Sequence, residues 1–254
     1  MTTMTEGLPE TLLTAVRTQR VLSAEGEIPL SSNIKAVEAE TIFQLLCRER
    51  PLETAEIGCA HGISTLAILA ALESNGQGHH HIVDPHQATM WKSAGRTMAA
   101  EAALDHRGTF YDSYPEEVFP TLPAMDFVFI DGSHLFDLTM LDFVLSDKVL
   151  KIGGIIGFHD TWMDSIKSVL RYILTNREDY KPLLMNGPRD IKPVGRLTKT
   201  RHRVALALAR FISGESDMIF KRKPFLQLGL DKSNLVFIQK TGEAVRDWRH
   251  YKAF

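Results

Sequence analysis

The stretch Thr54-Ala55-Glu56-Ile57-Gly58-Cys59-Ala60-His61-Gly62-Ile63-Ser64-Thr65 decides the fold. It reads as a short strand over 53–57, a glycine-bearing turn, and the start of the apolar helix Leu66-Ala67-Ile68-Leu69-Ala70-Ala71-Leu72. Nucleotide-binding βα units begin this way. Gly58 and Gly62 give a backbone that turns tightly and that a ligand can approach with no Cβ in the way. The pattern is Glu-x-Gly-x-x-x-Gly, and Ala60 stands where a dinucleotide fingerprint carries its second glycine. That argues against a pyrophosphate seat at the helix N-terminus. Glu56 at the strand end suits a ligand with a cationic amino group instead.

Upstream, Ile34, Val37, Ile42, Leu45 and Leu46 keep a helical period, with Ser31, Ser32 or Asn33 as the cap and Pro51 as the stop. A helix over 10–22 and a loop over 23–30 precede it, so 1–33 is expected as an N-terminal helical extension and 34–254 as the main domain. Downstream, strands are expected over 80–84, 108–113, 125–130, 155–158, 180–185 and 235–239, and helices over 90–104, 135–145 and 164–176. Pro115, Pro120 and Pro123 limit the helix between the third and fourth strands to one or two turns. This alternation predicts an α/β, doubly wound, Rossmann-like sheet, mostly parallel, of about seven strands with the last antiparallel and helices on both faces.

Parallel strands joined by right-handed crossovers expose their carboxyl ends on one edge, and ligands bind there. S-adenosylmethionine has a cationic amino group and no phosphate, which fits the glycine turn. The expected cofactor contacts are Glu56, Gly58, Gly62 and Ser64 around the turn, Asp84 for the ribose hydroxyls, Asp112 and Ser113 for the adenine amino group, and Asp131. If the fourth and fifth strands are neighbours, Asp131, His134, His159 and Asp160 converge at the same rim as a metal or acid/base constellation. The triplet His79-His80-His81 is not expected to hold a metal, because adjacent strand residues point to opposite faces.

The glycine motif, Asp84-Pro85, Phe129-Ile130-Asp131-Gly132-Ser133-His134, Asp142, Gly153-Gly154 and His159-Asp160 together resemble class I S-adenosylmethionine-dependent methyltransferases that modify natural products or sugars. The resemblance spans roughly residues 34–175, and extends more distantly to catechol-type O-methyltransferases. There an acid after the fourth strand, a lysine base three positions on, and an Asp-Asn pair after the fifth strand hold magnesium. Asp131 matches the acid, His134 stands at the base position in place of lysine, and His159-Asp160 occupy the pair with an imidazole in place of its first carboxylate. The resemblance implies methyl transfer to a hydroxyl. In one reading Mg²⁺ or Mn²⁺ sits on Asp131, Asp160 and His159, with His134 or His159 as base; in the other a histidine acts alone.

A 254-residue chain with 44% hydrophobic residues can bury one such domain. Its net charge of −2 excludes a globally basic nucleic-acid binder. Cys47 and Cys59 make neither a disulfide framework nor a zinc site. No run suits a membrane span and the N-terminus lacks a signal design, so the cytoplasm is the expected compartment. An insertion over about 187–232 is basic: 186–224 hold ten Lys and Arg against three acids. It reads as a lid receiving an anionic acceptor, a basic face, or a dimer contact; RNA or anionic lipid are the remaining options. N-methylation without a metal, or a catalytically silent nucleotide-fold module binding RNA or an anionic partner through this insertion, are the rival functions.

Overall fold

The computed structural model describes residues 7–183 and 234–254. The basic insertion, including Arg201, Arg203 and the helix expected over 204–212, lies outside the described residues.

Strands β3 (Glu53–Ile57), β4 (His79–Val83), β5 (Gly108–Tyr111), β6 (Met125–Ile130), β7 (Leu150–Phe158), β8 (Tyr180–Leu183) and β9 (Val236–Lys240) form one sheet in the order β5-β4-β3-β6-β7-β9-β8. All neighbours are parallel except β9, which runs antiparallel to both β7 and β8. The chain leaves β3 toward β4 and β5, then crosses back to β6 on the other side. Such a reversal of winding opens a crevice beyond the strand ends.

Side-chain alternation sends Phe127 and Phe129 of β6 to one face and Val128 and Ile130 to the other. The first face is covered by α1 (Glu10–Thr18), α2 (Ala36–Glu49), α3 (Ile63–Asn75) and α4 (Ala94–Glu101), with Leu12, Ile42, Leu46 and Leu69 fully buried. The second is covered by α5 (Pro115–Val118), α6 (Phe136–Val149) and α7 (Asp164–Asn176), with Phe119, Phe143 and Leu170 in its core. Helix α3 is buried all round, as an apolar helix between a sheet and other helices must be. No helix among the described residues is long and apolar enough to cross a membrane.

Three local expectations are corrected. The helix over 10–22 stops at Thr18, and the loop over 23–30 belongs to a hairpin of β1 (Arg20–Ser23) and β2 (Gly26–Pro29). Val21 and Ile28 are β-branched and pair across it, and Gly26 at φ +104° makes the turn. Leu8, Leu12, Val21 and Leu30 all enter the core, so the N-terminal segment packs into the same body. Helix α2 begins after Lys35 rather than at Ser31–Asn33, and Glu38 accepts the Lys35 amide at 2.7 Å. Strand β7 starts at Leu150, its early residues passing through a register irregularity against β6 where Gly153-Gly154 suggested a break.

Candidate active site

A cavity of about 890 Å³ opens over the carboxyl ends of β3, β4, β6 and β7. One wall is the glycine turn. Gly58 sits at φ +88°, and a Cβ there would run into the carbonyl oxygen of Asp131 and the Cα of Gly132. Glycine is therefore required where the β3 and β6 exits cross. Gly62 opens α3 at φ +85° against the backbone of Gly95, one layer behind the cavity wall, while Ser64 lines the cavity.

Asp84 ends β4 facing this turn. Its Oδ2 accepts the amides of Cys59 (3.1 Å) and Ala60 (2.9 Å) and the Gln87 side-chain NH₂ (3.1 Å), and Oδ1 accepts the His86 amide (2.9 Å). A carboxylate has about four lone-pair sites, so Oδ1 keeps acceptor capacity toward the cavity that Asp84 lines.

Glu56 does not reach the cavity. Alternation along β3 turns it beneath α3, fully buried, where Oε2 accepts the Thr65 hydroxyl at 2.5 Å and lies 3.6 Å from His80 Nε2. Asp112 and Ser113 also turn away. Asp112 pairs with Arg96 at 2.8 Å and Ser113 bonds Glu117, while the next residues, Tyr114, Pro115 and Glu116, take the wall. In the histidine triplet His79 and His81 stack edge-on on one side and His80 bonds Thr54 on the other, as alternation requires.

At the ends of adjacent β6 and β7 the four expected rim residues do converge. Asp131 Oδ1 receives His134 Nε2 at 3.0 Å and His159 Nδ1 at 3.1 Å. His134 Nε2 is also 3.3 Å from Asp160 Oδ2, and Trp162 donates to Asp160 Oδ1 at 2.9 Å. Beyond His159, its Nε2 meets Glu38 Oε2 of α2 at 3.2 Å, and Asn234 donates to Glu38 Oε1 at 3.0 Å. The result is an alternating chain of carboxylate and imidazole. His134 and Asp160 both adopt left-handed backbone (φ +62° and +49°), a conformation uncommon outside glycine and concentrated at functional sites.

This alternation sets the protonation states. Hydrogen bonds from Asp131 and Asp160 outweigh burial and raise His134 to about 9. Burial alone would lower His159, but bonds to Asp131 and Glu38 raise it to about 10. The His134 bond holds Asp160 down at about 2, and Asp131 stays below its usual range because its two imidazole partners outweigh burial.

The flanking carboxylates thus favour the imidazolium form of both histidines at neutral pH. Both nitrogens of His159 have partners, Nδ1 in Asp131 and Nε2 in Glu38 and Asn234. The metal set expected as Asp131, Asp160 and His159 differs in one member from the group that geometry brings together among the described residues: ligand atoms of Asp131, His134 and Asp160 lie within 4.8 Å of one another.

Sequence reasoning missed Glu38 and Asn234, which approach from 121 and 75 residues away. It also missed Trp91, Tyr114 and Trp162 in the wall. No local motif flags a residue that reaches the site from a covering helix or a distant strand.

The sheet order, switch-point cavity and glycine turn define a class I methyltransferase fold. Residues 55–161 match the family model described as a methyltransferase domain. A search of curated proteins finds no match.

Solved structures share the fold at low identity. The O-methyltransferase TomG of Streptomyces achromogenes, involved in tomaymycin synthesis and in complex with SAM, is 18% identical with a TM-score of 0.52, over 59% of this chain and 73% of its own. An O-methyltransferase of Bacillus cereus in complex with SAH gives 16% and 0.54, over 68% and 81%. The SAH-bound methyltransferase PaMTH1 of Podospora anserina gives 15% and 0.55, over 72% and 86%.

Proposed function

We propose that the protein transfers the methyl group of S-adenosylmethionine to a hydroxyl oxygen of a small molecule. The observation that carries this reading is the Asp131–His134–Asp160 cluster opening on the same cavity as the glycine turn. In this reading the cofactor lies along Gly58 and Ser64, with Gly62 and Glu56 shaping the turn from behind and Asp84 offering Oδ1 to the ribose. The sulfonium methyl is already activated, so the protein has to align the acceptor oxygen in line and exclude water. Trp91, Tyr114 and Trp162 supply apolar wall for that exclusion.

The acceptor proton needs a destination. Both histidines line the cavity, but His159 is buried and held between α2 and β6, so His134, the more exposed of the two, is assigned as the group that meets the acceptor. At neutral pH His134 carries a proton shared toward Asp131 and Asp160, and it becomes a base once that proton has left. The two carboxylates on this rim suit Mg²⁺ or Mn²⁺, while His134 departs from an all-oxygen ligand set and would join it only as a neutral imidazole. Held there, such an ion would supply the positive charge that lowers the pKa of the acceptor hydroxyl. The two free thiols fit a reducing compartment such as the cytoplasm.

The test is calorimetric titration with S-adenosylhomocysteine, then transfer from methyl-labelled cofactor to phenolic, sugar and amine acceptors, each in Mg²⁺ and in chelator. Micromolar binding and label on a hydroxyl are expected. No binding in either buffer would remove the reading, and chelator-insensitive labelling of amines alone would move it to nitrogen.

A further inference from the structure

We infer that Asp142 of α6, with Glu116 of the neighbouring α5, forms a subsite that accepts N–H hydrogens from a ligand in the cavity. This rests on the proposed methyltransferase reading for one of its two ligand sources, and the test separates the two.

Asp142 is 6% exposed and lines the cavity. Among the described residues its carboxyl group has no hydrogen bond or ion pair, whereas Glu38, Asp84 and Asp179, similarly buried, are each held by two or more donors. An unpaired buried carboxyl is costly, and natural proteins keep one where a ligand supplies the missing partner.

Its approach is left open by Gly132. A Cβ there would stand 3.3 Å from Asp142 Oδ2 and 3.1 Å from Ile57 Cγ2, filling the space between carboxyl and cavity. The residues expected to read the cofactor's amino group, Asp112 and Ser113, are engaged elsewhere, so an adenine in this cavity finds its acceptors in Asp142 and Glu116. An ammonium on the methyl acceptor offers the same N–H chemistry.

Burial, with Glu116's charge adding and His134's opposing, pushes Asp142 up to about 7. Near neutrality it can therefore present an O–H beside a C=O, the complement of adenine's N1 and amino group.

The experiment titrates wild type, Asp142→Leu and Glu116→Gln with S-adenosylhomocysteine and with its analogue lacking the 6-amino group. In a second arm the same proteins, with and without S-adenosylhomocysteine, are titrated with tyramine and with 4-ethylphenol, which differ in the ammonium. If adenine is the ligand, Asp142→Leu weakens S-adenosylhomocysteine about 10–100-fold and the deamino analogue, which keeps N1 but lacks the amino group, by a clearly smaller factor. If the acceptor is, S-adenosylhomocysteine is unchanged and the preference for tyramine over 4-ethylphenol falls by a similar factor.

A folded Asp142→Leu protein that changes neither arm overturns the inference. If that variant does not fold, Glu116→Gln at an exposed position decides by the same two readouts, its silence in both counting against the subsite. Wild type that binds no S-adenosylhomocysteine removes the methyltransferase proposal, and the tyramine arm alone then decides this one.

Discussion

Asp84 and Asp131 are both acids at the carboxyl ends of parallel strands in one sheet, yet they are held by opposite means. Asp84 is satisfied by four uncharged N–H groups, three of them backbone amides. Asp131 is satisfied by two imidazole rings, both pushed toward their charged form, that are themselves held by Glu38 and Asp160. Amides do not titrate, so the β4 edge is fixed once the chain folds. The β6–β7 rim is a balance among charges from α2, two strand ends and Asn234. Protons, a ligand or an ion can shift that balance, which suits the two edges to binding and to chemistry respectively.

The largest test strikes where the edges meet. Gly58→Ala forces a Cβ against Asp131 and Gly132 at φ +88°, and a loss of about 3–5 kcal/mol is expected from strain and overpacking together. In a domain of this size that is a fall of about 10 °C in Tm, read by thermal unfolding. A transition within a degree or two of wild type would mean that the two exits do not touch.

Next comes Glu38→Gln, which leaves the buried His159 cation one carboxylate short and should cost about 2–4 kcal/mol at pH 7. Because His159 is raised to about 10, the stability it contributes is fully present below about 6.5 and is lost as pH rises toward 10. The Glu38→Gln deficit should therefore shrink between pH 7 and 10. Asp84→Asn presents an NH₂ to amide donors and should cost about 1–3 kcal/mol, by the same amount at every pH in that range. Denaturant midpoints of both variants across the range decide the matter, and parallel pH slopes would erase the distinction between the edges.

How much of this was legible in the sequence follows the same division. The bounds of β3, β6 and α7 could be read from apolar runs, prolines and caps, because those signals are local. The convergence of Asp131, His134, His159 and Asp160 was readable too, since it needs only that consecutive parallel strands lie side by side. Orientation was not. Glu56 reads as a ligand contact until strand alternation is anchored by α3 above it, and Asp112 reads as an adenine acceptor until Arg96 arrives from α4. Glu38 carries no signal at all, as its role depends on where α2 lies over the sheet.

The smallest expected effect belongs to Asp142, which neither amides nor imidazoles hold. Its folded value of about 7 lies above the ordinary 3.8, so between those pH values the native state binds a proton that the unfolded chain has lost. Stability therefore falls as pH rises through that window and is flat above it. Asp142→Asn has no proton to lose. Set against its own burial cost, it should be more stable than wild type by about 1–2 kcal/mol at pH 8 and by less at pH 5. Chemical unfolding at the two pH values measures this directly. An advantage that is absent at pH 8, or equal at both, would place Asp142 with Asp84 among the acids satisfied inside the fold, and would leave the cavity without an unpaired acid.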